Sequence, residues 1–219
     1  MSASFMLRAF SYPNYRLFFG GQIVSVTGSW ISMTATSWLV YRLTGSPMLL
    51  GVVGFAGQFP GFVMGPIAGA FLDRWDRHRV LVVTQAVSML QSFVLAFLTF
   101  TGHITVPAIV ALSAVQGIVN AFDMPARQAF LVTIISDKED LANAIALNSS
   151  MFNAARLIGP SVAGVIIAAS GEAWCFLLDG FSFLAVIIAL LSMENVRQAG
   201  RPGDQPGIME QLLEGWRYV

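Results

Sequence analysis

The chain has 219 residues, 56% of them apolar and 11% charged, against about 25% charged in an average soluble domain. Its 12 basic and 12 acidic residues balance, so there is no basic field to attract nucleic acid. Long apolar runs exclude a disordered chain and argue against a soluble enzyme, and a lone cysteine, Cys175, excludes a disulfide scaffold. His78 and His103 lie far apart and make no metal-ligand spacing. A polytopic all-α membrane protein remains.

A bilayer core about 30 Å thick needs about 20 helical residues. Arg16 and Arg42 bracket 25 uncharged residues, and Arg42 and Asp73 bracket 30. Arg79 and Asp123 bracket 43, about 64 Å as one helix, so this stretch is two spans with a break at Thr101-Gly102-His103. Two more spans follow, one interrupted by Arg156 and one by Asp179. Six helices are expected, at about 17–41, 47–72, 79–101, 105–127, 142–169 and 173–193. Ten Lys and Arg residues fall on one side of these spans and Arg42 alone on the other. The positive-inside rule then places both termini in the cytoplasm of a multi-pass plasma-membrane protein. Residues 194–219 are expected to form a cytoplasmic linker (GRPGDQPG) and an amphipathic helix from Ile208. The sequence stops inside that helical pattern, which suggests a truncated chain.

Polar residues recur on single faces of the apolar helices. Gln22, Ser25, Ser29, Ser32 and Thr36 form a stripe in the first, and Ser113, Gln116, Asn120, Asp123 and Arg127 form one in the fourth. Ser149, Asn153 and Arg156 share a face of the fifth. A single Ser or Thr is read as a helix–helix hydrogen bond; two full stripes are read as the wall of a wet cavity. Their equivalent places in helices one and four suggest a 3+3 internal repeat. The candidate cavity residues are Gln22, Ser25, Ser29, Gln116, Asn120 and Arg156. In the second helix Gly51, Gly54, Gly57, Gly61, Gly65 and Gly69 make a small-residue face, and Pro60 and Pro66 should bend it. That face serves either tight packing within these helices or sliding contact with helices outside this chain.

Between helices two and three runs Gly69-Ala-Phe-Leu-Asp73-Arg74-Trp75-Asp76-Arg77-His78-Arg79. This Gly-x-x-x-Asp-Arg-x-x-Arg pattern resembles the signature loop of the major facilitator superfamily, with Asp76 where the family usually has glycine. Arg156-Leu-Ile-Gly159-Pro160-Ser-Val-Ala-Gly164 resembles the fifth-helix Gly-Pro motif of exporter-type members. Asn14-Tyr-Arg16-Leu-Phe-Phe-Gly-Gly21-Gln22, Phe122-Asp123-Met-Pro125-Ala-Arg127 and Glu214-Gly215-Trp-Arg217 are similar to the enterobactin-exporter-like, or transmembrane secretion effector, branch. The resemblance covers nearly the whole chain and implies the N-terminal six-helix half of a twelve-helix transporter.

It further implies secondary-active efflux of a small molecule, such as a siderophore or drug, by alternating access. The partners would be the lipid bilayer, the small-molecule substrate and a C-terminal six-helix half, with no cofactor and no metal. Asp73, Arg74, Arg77 and Asp123 look like a charge latch at the cytoplasmic face. Gly57, Gly61, Gly65, Gly69, Gly159, Pro160 and Gly164 are the expected packing and hinge positions. Many proton-coupled members carry a fourth-helix arginine four residues before the glycine of Gln116-Gly117; here that position is Ser113. Coupling through that arginine does not carry over, and Asp123, Arg156 or Asp179 would have to take part, or the second half. Arg156 lies about 20 Å deep and needs a partner or water. Depth places it between Asp123 and Asp179, with Asp123 preferred. An alternative reading is a half with no transport of its own, or one active only as a dimer or with a second half. No ATP-binding loop and no catalytic set of the Gly-x-Ser-x-Gly kind occurs in these residues.

Overall fold

A computed structural model describes residues 7–72 and 74–194. The predicted tail helix and Asp73 lie outside the described residues. A short 3-10 turn, Arg8–Ser11, precedes six helices: α1 Pro13–Thr44, α2 Pro47–Leu72, α3 Arg77–Phe100, α4 Val106–Ile134, α5 Lys138–Ser170 and α6 Glu172–Leu191. All six are long and apolar enough to cross a membrane.

Local chemistry explains where they start and stop. Pro13 and Pro107 occupy first-turn positions, where a missing N–H costs nothing. Gly45 ends α1 in the left-handed region at φ 61°, which a side chain would resist. Asp76 caps α3 by accepting from the N–H groups of His78 and Arg79. The residue that departs from the family loop therefore starts the third helix. Asp137 caps α5 in the same way, with Glu139 and Asp140 in the first turn. That cap starts the helix at Lys138, four residues before the expected 142. Similarly α4 continues past Arg127 to Ile134, because Phe130, Leu131 and Ile134 are buried in a core.

The helices pack in the spatial order α2, α4, α3, α6, α1, α5. Exchanging α1 with α4, α2 with α5 and α3 with α6 reproduces that order. The 3+3 repeat is thus written in the packing as well as in the stripes, as half of a major-facilitator fold requires. The two ends of the row, α2 and α5, are the least buried helices.

Two large apolar cores hold the bundle, with a smaller one of Val26, Met151 and Ala155 between α1 and α5. One, at the arginine-rich end, gathers Tyr15, Phe18, Leu81, Phe130, Ala144 and Leu190. The other, toward the opposite end, gathers Ile31, Leu39, Leu95, Ile109, Cys175 and Phe176. Between them in α1, α3, α4 and α6 lie the buried polar residues Gln22, Ser25, Ser32, Thr84, Gln85, Ser88, Ser92, Asp123, Asp179 and Ser182. A polar belt therefore crosses the middle of the bundle. Buried polar groups in hydrocarbon require partners, and Thr84, Gln85, Ser92 and Ser182 find theirs on the two belt carboxyl groups, whereas the Gln22 amide has no hydrogen-bond partner among the described residues.

Candidate functional site

Polar side chains divide into an open face and the buried belt. On the open face, Asn120 of α4 and Asn153 and Arg156 of α5 are exposed near the middle of their helices. Half-buried Gln116 donates to Asn120 Oδ1 at 3.1 Å and to Ser88 Oγ at 3.1 Å, joining the open face to the belt. The Asn153 amide donates to Ser149 O, one turn back on α5. Arg156 stacks over the Trp30 ring of α1, 5.8 Å from its centroid, and Trp30 meets Phe152 edge to face. A cation over an aromatic face is stabilised by the ring quadrupole.

Two expectations change here. Gln22 and Ser25 are each 1% exposed, so they belong to the interior of the bundle in this conformation. The cause is the glycines beside them: a Cβ at Gly21 would lie 3.1 Å from the α6 backbone at Val186, and one at Gly28 would press on Ser182. These positions lay the stripe of α1 against α6, and Ser29 is only half-buried. Arg156 is also not paired with Asp123. The Asp123 carboxylate is filled by Arg127 of its own helix, by Thr84 Oγ1 at 2.9 Å and by Gln85 Nε2 at 2.8 Å. Arg127, four residues on, is the nearest-neighbour solution on an α-helix; depth arithmetic between helices overlooked it.

Of the expected latch, Arg77 donates to Ala129 O at 3.4 Å, and its buried Nε has no partner among the described residues. No ion pair joins Arg77 to Asp123 among those residues. Arg74 is exposed, and Asp73 is outside them. Other ion pairs join separate elements at the two ends of the bundle. Arg42 of α1 grips Glu172 of α6 through Nε at 2.7 Å and a terminal nitrogen at 3.2 Å. At the other end Arg8 bonds Glu139 and Asp140 of α5, which holds the guanidinium protonated still more firmly than usual. Beside it the Tyr12 phenol donates to Asp140, and burial together with that carboxylate pushes its pKa up.

The expected packing glycines also separate. Gly57 and Gly61 face α4: a Cβ at Gly57 would rest 3.7 Å from Ser113 O, and Gly61 faces Gly117 O. Gly159 of α5 presses on Trp30 and Ile31 of α1, just before Pro160. Gly51, Gly54, Gly65, Gly69 and Gly164 meet nothing within 4 Å.

Absent from the sequence candidates is the α3 stripe Thr84, Gln85, Ser88, Gln91 and Ser92, all buried. Its spacing was visible, since 85, 88 and 92 step by three and four. Ser92 donates to Asp179 Oδ2 at 2.8 Å, so α3 supports both buried acids of the belt.

The family described as transmembrane secretion effector matches residues 5–219. Over 177 residues the chain is 32% identical to the staphyloferrin A transporter of Staphylococcus aureus (strain NCTC 8325 / PS 47), covering 80% of this chain and 44% of that protein. It is 27% identical to the multidrug efflux pump Tap of Mycolicibacterium fortuitum, over 88% of this chain and 48% of the pump. It is 22% identical to the enterobactin exporter EntS of Shigella boydii serotype 4 (strain Sb227), over 95% and 50% respectively. The chain spans about half the length of these relatives.

Proposed function

This chain belongs to the transmembrane secretion effector family of major facilitator transporters, and from that premise we propose that it forms the N-terminal half of a secondary-active exporter of a small molecule. The observation that carries the reading is the open face. Asn120, Asn153 and Arg156 are exposed at mid-helix, where lipid offers no hydrogen bonds. Such groups in a membrane face water or other protein. A water-filled cavity between this bundle and a second one satisfies them, and rocking of the two bundles opens that cavity to alternate sides. The relatives named for siderophore transport and drug efflux support a substrate of that kind.

The second bundle would dock on α2 and α5. Their exposed glycines, Gly51, Gly54, Gly65, Gly69 and Gly164, leave room for a close backbone approach. Both termini would be cytoplasmic, from the excess of basic residues at that end.

Cysteine accessibility in the complete transporter tests the wall. Asn120→Cys and Asn153→Cys should react with a membrane-impermeant thiol reagent. Gln22→Cys, inside the bundle, and Val165→Cys, on the apolar side of α5, should not. The native Cys175 is buried and silent. Unreactive cysteines at both 120 and 153 would remove the cavity. If they react, Asn120→Ala with Arg156→Ala should lower efflux of a fluorescent lipophilic cation such as ethidium.

A further inference from the structure

The belt holds two buried carboxyl groups in opposite situations. Asp123 has a guanidinium against it. Asp179, 3% exposed, has hydroxyl groups alone. Ser92 of α3 donates to its Oδ2 at 2.8 Å. Ser182, one turn along α6, donates to its backbone carbonyl at 2.7 Å and approaches Oδ1 at 3.4 Å. Ser29 and Ser32 of α1 are also close enough to bear on the carboxyl. No charged group among the described residues acts on it from any helix packed against α6. On α1 Arg42 is bound to Glu172 at one end, and Arg16 is exposed near the other. On α3 the titratable side chains Arg77, His78 and Arg79 all lie in the first turn, where the His78 ring bonds Leu190 O near the end of α6. On α5 Arg156 lies over Trp30. On α6 itself the neighbours are Cys175, one turn back, and the paired Glu172.

An ionised carboxylate buried without a cation is too costly to persist; it takes a proton or admits water. We propose that Asp179 is the proton-carrying site of this transporter, loaded when α1 is seated on α6 and emptied when that contact opens. The inference rests on the transporter reading above and adds the coupling residue to it. Gly28 is the geometric link. A Cβ there would lie 3.0 Å from Asp179 Oδ1, so the α1 backbone sits directly on the carboxyl and leaves no room for hydration. Loss of the proton to water leaves a negative charge that must be hydrated, which favours separation of α1 from α6. Uptake of a proton restores neutrality and lets α1 close again. The device is a two-state contact biased by one proton. Glu172, Cys175, Asp179 and Ser182 step by three and four along one face of α6, so the Arg42–Glu172 end is the nearer route to water.

Two measurements on the complete transporter in proteoliposomes test this. In infrared pH titration the wild type should show a protonated-carboxyl band that disappears within about pH 5 to 9, the range around an operating pH. Asp179→Asn should abolish the band and Asp123→Asn should leave it. Ser92→Ala, which keeps the acid and removes one donor, should shift its frequency. Exchanging Na+ for K+ at fixed pH should change nothing. With ethidium as probe and a one-unit pH gradient, the wild type should accumulate up to about tenfold per exchanged proton, the ratio that 1.4 kcal/mol sustains. Asp179→Asn should equilibrate ethidium without accumulating it. The proposal is overturned if the band survives Asp179→Asn, fails to titrate, or responds to Na+, or if Asp179→Asn still accumulates ethidium. A wild type that moves no ethidium counts against the transport reading, and the carboxyl titration then decides the proton site by itself.

Discussion

Gly117→Ala probes a close backbone approach between α2 and α4. Its new Cβ would lie 2.5 Å from Gly57 O, 3.0 Å from Gly57 C and 3.2 Å from Pro60 Cδ. The first two are backbone atoms of α2, so no side chain can rotate away. Reaching an ordinary 3.4 Å contact moves α2 and α4 apart by about 1 Å, which loosens every neighbouring contact along the pair. Overpacking of this kind costs about 1–3 kcal/mol. Replacing glycine inside a helix returns up to about 1 kcal/mol of backbone entropy. The net expectation is a loss of about 1–2 kcal/mol, a factor of about 5–30 in the folded-to-unfolded ratio. Cys175 is the one cysteine in the sequence and is buried, so a thiol-reactive fluorophore reports unfolding in detergent without further labelling. Gly117→Ala should unfold at a clearly lower temperature than the wild type. Gly65→Ala, which meets nothing within 4 Å, should match or exceed the wild type. Equal melting of wild type and Gly117→Ala, or an equal loss at Gly65, would show that the α2–α4 approach is not as close as described.

Arg127→Ala strips the guanidinium from buried Asp123 and should cost about 3 kcal/mol in the same melting assay; adding Asp123→Asn should recover part of that loss, because a neutral amide needs no cation. Arg42→Ala should cost more than the roughly 1 kcal/mol of an exposed ion pair, because Glu172, whose side chain is 7% exposed, is left buried without its cation; a smaller loss in a double-mutant cycle with Glu172→Gln would contradict this. The raised pKa of Tyr12 means that the folded state prefers the neutral phenol. Stability should therefore hold below the free phenol's value of about 10 and fall as pH rises through and above it. Thermal melts across that window should show the decline in the wild type and a flatter profile in Tyr12→Phe. In the complete transporter, Gly65→Ala should impair assembly or transport if α2 docks a second bundle, even though the isolated fold tolerates it.

The six spans and their internal repeat were legible because both follow from one-dimensional constraints. A helix must be long enough to cross hydrocarbon, and charges are expelled to its ends. The caps Asp76 and Asp137 were within reach too, though the first was read as a departure from a family loop. Periodicity also located the polar stripes, since residues three and four apart share a face whatever surrounds them. It could not say what covers each face. Glycines at 21 and 28 pull the α1 stripe against α6, while Asn120 and Arg156 stay open on α4 and α5. The same limit governed the charges. Depth along a helix is a single coordinate, and it ranked Asp123 and Asp179 as partners for Arg156. Rotation about each helix axis, which packing alone sets, gave Asp123 to Arg127, surrounded Asp179 with serines, and turned Arg156 onto Trp30. Length and hydropathy are properties of each segment by itself, whereas the environment of a buried charge depends on which neighbours the other helices bring to it.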